Sequence, residues 1–213
     1  MRLFVAALVL LTLPGCVSFS ETQRAQVEDA RSLVSRVVED PRFEAVLLDM
    51  GANDEIEWEG RLASGLTERP ADLTRWLVDR YKEAGAPQTE NIRPYVPYRG
   101  LWPLSKTRAA AGYGSDEIKL NVVYLERPTS RIVRDPISIA NTLVHESAHT
   151  FGQIHGGSQR ADVNACDAAY VAGALAEALL RSDAAGGAIM EKEISSPVCA
   201  SLAARLQARG VLR

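Results

Sequence analysis

Every histidine in the chain falls inside one eleven-residue window, His145-Glu146-Ser147-Ala148-His149-Thr150-Phe151-Gly152-Gln153-Ile154-His155. Helical residues four apart share a face, so His145 and His149 can present both rings to one ion. Glu146 lies about 100° round the helix from His145. It can reach a water at that ion without being a ligand. Gly152 lets the chain leave the helix, because only glycine takes the left-handed conformation at low cost. The turn brings His155 back as a third nitrogen. Zinc with three protein ligands and an open fourth position is the catalytic form of a zinc site.

The flanks of the window read as a buried helix. Asp135-Pro136 supplies an N-cap followed by proline at the first helical position. Ile137, Ala140, Val144, Ala148 and Phe151 recur at helical spacing, with Leu143 beside them. The bland alternative, a chance pair of histidines on a surface helix, fits poorly with histidines confined to one window.

The chain has 213 residues, enough for one domain with a real core, and a net charge of -3. No basic run points to nucleic acid. Arg2 precedes an apolar run, Leu3 to Leu13, of signal-peptide length and too short to span a bilayer. Leu13-Pro14-Gly15-Cys16 resembles a bacterial lipobox. That resemblance implies cleavage before Cys16, lipidation of Cys16 and attachment to the cell envelope, facing the periplasm from the outer membrane. The expected organisation is a signal peptide over 1–15, a lipidated tether over 16–20 and one domain over 21–213. In an exported chain the remaining pair, Cys166 and Cys199, reads as a disulfide; two buried free thiols are the alternative.

Helices are expected over Glu21 to Glu39, Pro41 to Met50, Ala71 to Ala84, Arg160 to Arg181 and Pro197 to Ala208. Gly51 to Gly60 reads as a loop, Ile92 to Leu104 as short extended pieces, and Lys106 to Gly114 as a flexible crossing. Ile118 to Leu125 is the best strand in the chain, with Val122 and Val123 β-branched. The expected class is α+β: a mainly helical domain with a small sheet.

The window, H-E-x-x-H-x-x-G-x-x-H, resembles the metal motif of the metzincin clan of zinc metallopeptidases, and matches it at His145, Glu146, His149, Gly152 and His155. The resemblance covers those eleven residues and the strand-to-helix order before them. It implies one zinc per chain on His145, His149 and His155, with Glu146 as general base on the zinc-bound water. It implies an edge strand preceding the metal helix and lining the cleft, which makes Asn121 and Tyr124 candidate cleft residues. It also implies a methionine turn beneath the metal, a role open to Met190, although Lys192 stands where some members carry a tyrosine. In other HExxH peptidases the third ligand is a carboxylate from the following helix, which keeps Asp162 and Asp167 open as alternatives to His155. Either could instead orient a histidine ring. Tyr113, Tyr124 and Tyr170 are candidates for stabilising the oxyanion. The activity implied is hydrolysis of peptide bonds at the envelope. The rival readings are a zinc amidase or endopeptidase acting on cell-wall peptides, and a non-catalytic zinc-stabilised lipoprotein.

Overall fold

The computed structural model describes residues 17–58, 70–96, 108–126, 134–155 and 165–213. Cys16 with the segment expected to be a signal peptide, and Asp162, lie outside the described residues. The architecture is α+β: among the described residues there are seven α-helices and a small three-stranded mixed sheet.

Local chemistry sets most helix ends. Helix α1, Glu21–Val38, starts with a reciprocal capping box: the Gln23 amide donates to Ser20 Oγ, and the Ser20 amide donates to Gln23 Oε1. Its inner face is Val27, Ala30, Val34, Val37 and Val38, all buried. Helix α2, Pro41–Ala52, is capped by Asp40 with proline at its first position. Helix α3, Pro70–Ala84, contributes Leu77, Val78 and Tyr81 to the core. Tyr81 is buried edge-on between Phe43 and Phe151, and its hydroxyl donates to the Val144 carbonyl at 2.7 Å. A buried hydroxyl needs such a partner.

Strands β1 (Ile92–Tyr95), β2 (Ala109–Ala111) and β3 (Ile118–Asn121) lie in the order β1-β3-β2. β1 runs parallel to β3, pairing Ile92 with Ile118, and β2 runs antiparallel, pairing Ala109 with Leu120. Two expectations are corrected here. The strand expected over Ile118 to Leu125 stops at Asn121, and Val122–Glu126 is a short helix, α4. Asn121 turns it: its Oδ1 accepts the Val123 amide two residues on, a local bond that competes with the ladder. β3 is also the central strand. The edge nearest the metal helix is β2, from the stretch read as a flexible crossing.

The metal-motif helix, α5 (Pro136–Thr150), begins as expected, with Asp135 as N-cap and Pro136 first. It is the centre of the molecule, flanked by α1 and by α6, Ala168–Ala185. Ala140, Leu143, Val144 and Ala148 are fully buried. Where α5 and α6 cross, Gly173 permits the approach. A Cβ there would stand 2.6 Å from Asn141 Oδ1 and 3.3 Å from His145 Cβ.

α6 starts later than expected, because Asp167 accepts the Ala169 amide and acts as its N-cap. The last helix, α7, Ala200–Ala208, is likewise shorter than the expected Pro197 to Ala208. Ahead of it, a one-turn 3-10 helix at Glu191–Glu193 leads to Ser195 and Ser196, which reach the α5–α6 interface.

Candidate metal centre

Two rings come from α5 and one from the turn that follows it. After the C-cap Phe151, Gly152 takes φ 107°, and the Gly152 and Gln153 amides donate to the His149 and Ala148 carbonyls. A side chain at Gly152 would be strained in that conformation. The turn returns the chain toward the helix. His149 Nε2 lies 3.3 Å from His145 Nε2 and 3.0 Å from His155 Nε2, and His155 Nε2 is 3.3 Å from His145 Nε2. His145, His149 and His155 form a cluster that can hold a metal ion.

Two of the three rings are held from behind by hydrogen bonds. His149 Nδ1 donates to the Gln153 carbonyl at 2.7 Å, which leaves Nε2 with a lone pair toward its neighbours. His145 is hydrogen-bonded to the Ala169 backbone. His155 Nδ1 lies 3.2 Å from Asp167 Oδ1, an electrostatic contact rather than an aligned hydrogen bond. Asp167 is almost fully buried, and Gln153 Nε2 donates to both its oxygens at 3.0 and 2.9 Å. Asp167, one of two carboxylates open as third ligand, therefore stands behind His155 and orients it. Asp167→Asn is expected to keep the fold and to weaken metal binding about 10–100-fold, measured by competition with a chromophoric chelator.

Burial, reinforced by the neighbouring rings, holds the His145 imidazole well below its ordinary value. Burial likewise lowers His149 to about 4. Both are neutral near pH 7, so a metal ion need displace no proton from them.

Glu146 is buried, and desolvation pushes its carboxyl up to about 8, opposed by a hydrogen bond to the Ala111 backbone. The edge strand β2 thus touches the side chain named as base. This contact had no signal in the sequence, since three alanines carry no strand pattern.

Among the tyrosines, Tyr170 packs against two of the rings, with centroids 4.4 Å from His145 and 5.0 Å from His155. Tyr113, exposed in the turn after β2, stands edge-on to His149 at 5.8 Å. Tyr124 lies instead under the Arg134 guanidinium, 5.2 Å from ring centre to Cζ. Asn121 is buried in the sheet opposite Tyr95. Met190 sits at the head of the Glu191–Glu193 turn, its amide donating to Glu193 Oε2, while Ile189 beside it pairs with Leu212.

Cys166 and Cys199 are neighbours, as the expected disulfide requires, and stand here as free thiols. Burial and the adjacent Cys199 push the Cys166 thiol up to about 12. A protonated thiol pair closes only when an oxidant is supplied, which no sequence pattern specifies.

Comparison with protein-family models, with curated proteins and with solved structures finds no match to this chain.

Proposed function

We propose that this protein is a zinc-dependent peptidase of the metzincin type, with Glu146 as general base. The observation that carries the reading is a buried, non-ligating glutamate held beside three convergent imidazoles. A purely structural zinc site uses four protein ligands and needs no base.

Zinc fits the donor set. With Zn–N bonds of about 2.0–2.1 Å, tetrahedral geometry sets ligand nitrogens roughly 3.3 Å apart. The three Nε2 separations are 3.3, 3.3 and 3.0 Å. Three lone pairs at that distance repel one another unless a cation lies among them. When bound, zinc supplies a Lewis acid that acidifies water and polarises a carbonyl, and its charge draws Glu146 down from about 8.

The chain's own residues divide the remaining work. Glu146 takes a proton from the attacking water on a carboxylate oxygen and returns it to the leaving nitrogen. The backbone of β2 fixes that carboxylate. β2 is an edge strand among the described residues, so it can offer main-chain groups to an extended peptide. Of the tyrosines expected as oxyanion candidates, Tyr170 packs its ring against two of the ligand rings and is assigned that role.

Export and anchoring through a lipidated Cys16 complete the reading as an envelope enzyme. Among the described residues no helix is long and apolar enough to cross a membrane. The test is digestion of an unstructured protein and a mixed peptide library by the soluble chain Ser18–Arg213. Hydrolysis that stops with a chelator and returns with zinc is expected. Full activity in excess chelator contradicts the metal role.

A further inference from the structure

Arg108 and Arg134 lie close enough to repel each other, and neither makes an ion pair among the described residues. Arg134 is only 7% exposed, and among the described residues its Nε has no hydrogen-bond partner. Its guanidinium lies over the Tyr124 ring. Arg108, directly before β2, reaches the Ser195 carbonyl with Nη2 at 2.6 Å. The two guanidiniums repel each other, and burial with that repulsion lowers Arg134 to about 10.

The nearby carboxylates are already committed. Glu177 and Asp135 both attract Arg134. Yet Glu177 accepts from Asn141, Ser195 and Arg181, and Asp135 takes two bonds from Arg181 and one from the Ser138 amide. A buried guanidinium with an unpartnered Nε beside a second, half-buried cation is an unfavourable arrangement in a free protein. The positive charge also borders the reaction centre, since Arg108 acts electrostatically on both His145 and Tyr170. A guanidinium fork braced on an aromatic face matches the planar geometry of a carboxylate.

We propose that Arg134 and Arg108 form a subsite for a carboxylate of the peptide substrate, either an acidic side chain or a free C-terminus. This rests on the peptidase reading for its substrate, but the anion site itself does not. Arg134 is the specificity residue. Arg108 adds charge while bracing Ser195. The subsite sets a preference among peptides by leaving two cations unpaired when a neutral group occupies it.

The test separates the site from the activity. Glutarate, with glutaramide as the neutral control at equal ionic strength, is titrated into Ser18–Arg213 with and without zinc. Wild type is expected to bind glutarate about tenfold more tightly than Arg134→Met, with no such difference for glutaramide. Ligand-free Arg134→Met should melt no lower than wild type, because a buried like-charge repulsion is removed. A merely structural arginine would lower the melting temperature. Arg134→Lys, which keeps the charge without the fork, serves if the methionine variant does not fold, and should give intermediate binding. Equal glutarate binding by all forms overturns the proposal.

Peptides paired as acid and amide at the C-terminus, and as Asp and Asn within the chain, then locate the recognised carboxylate. Glutarate discrimination without cleavage of any peptide would count against the peptidase reading alone. Cleavage without preference between acid and amide, or between Asp and Asn, would count against the subsite alone.

Discussion

Glu146→Gln is expected to leave one zinc per chain bound and to lower peptide hydrolysis by about 10²–10⁴-fold, the range for a positioned general base. The side chain is buried beside the ring cluster yet is not one of the three converging nitrogens. Glutamine is nearly isosteric and can keep the contact with the Ala111 backbone by presenting its carbonyl oxygen. What it cannot do is accept a proton. Metal content and initial rate measured on one preparation separate the outcomes. Zinc retained with activity lost fits the assigned role. Zinc retained with an unchanged rate removes Glu146 as the base. The same substitution probes the raised carboxyl in metal-free protein. A folded-state value above the ordinary one stabilises the fold at low pH, and that contribution is lost as pH rises through about 8. Metal-free Glu146→Gln should therefore gain thermal stability over wild type as pH is raised from 5 to about 9.

The largest expected effect on stability is at Glu177. Replacing it with leucine is expected to cost about 3–5 kcal/mol, the range for breaking a buried ionic network from one side. Glu177 is fully buried. Its Oε2 accepts from Asn141 Nδ2 at 2.6 Å, Ser195 N at 2.9 Å and Ser195 Oγ at 2.6 Å, while Oε1 accepts from Arg181 Nε at 2.8 Å. Arg181 continues the network to Asp135, the N-cap of the metal helix. Three donors thus lose an acceptor, Asn141 Nδ2 keeping only Ser196 Oγ, and the half-buried Arg181 keeps only Asp135. Asn141 is one helical turn before His145, so the loss loosens the ligand as well as the fold. Against a usual stability of about 5–15 kcal/mol, the variant should unfold at much lower denaturant and bind zinc more weakly. A stability loss under about 1 kcal/mol would mean the network is dispensable.

The ring cluster was legible because helical periodicity fixes which residues share a face. His145 and His149 needed nothing beyond a helix, and Asp135-Pro136 marked where that helix starts. The return of His155 was legible through Gly152, whose φ of 107° is the conformation that glycine favours. The role of Asp167 was distinguishable only in three dimensions. Asp167 proved to be both a helix cap and the group behind His155, and a sequence offset does not say whether a carboxylate points at an ion or at a ring.

Two parts of the site were not legible at all. β2 is three alanines, small enough to lie against α5, and without side-chain alternation nothing marked it as the strand that meets Glu146. Glu177 sits on the expected long helix after the motif, but its partners come from Asn141 and from Ser195, in the segment before the last helix. Long-range polar satisfaction of that kind leaves no periodic trace. At Asn121, β-branched Val122 and Val123 favoured a continued strand, and a single side-chain bond to the Val123 amide prevailed over that propensity.

The three-histidine metal centre underlies every other catalytic assignment, and zinc content of Ser18–Arg213 beside His155→Ala, by elemental mass spectrometry, tests it most directly. The expected result is one zinc per wild-type chain, with most of it lost from the variant after dialysis against a weak chelator. Full zinc retained in His155→Ala, or no metal in wild type even after reconstitution, would contradict the central claim.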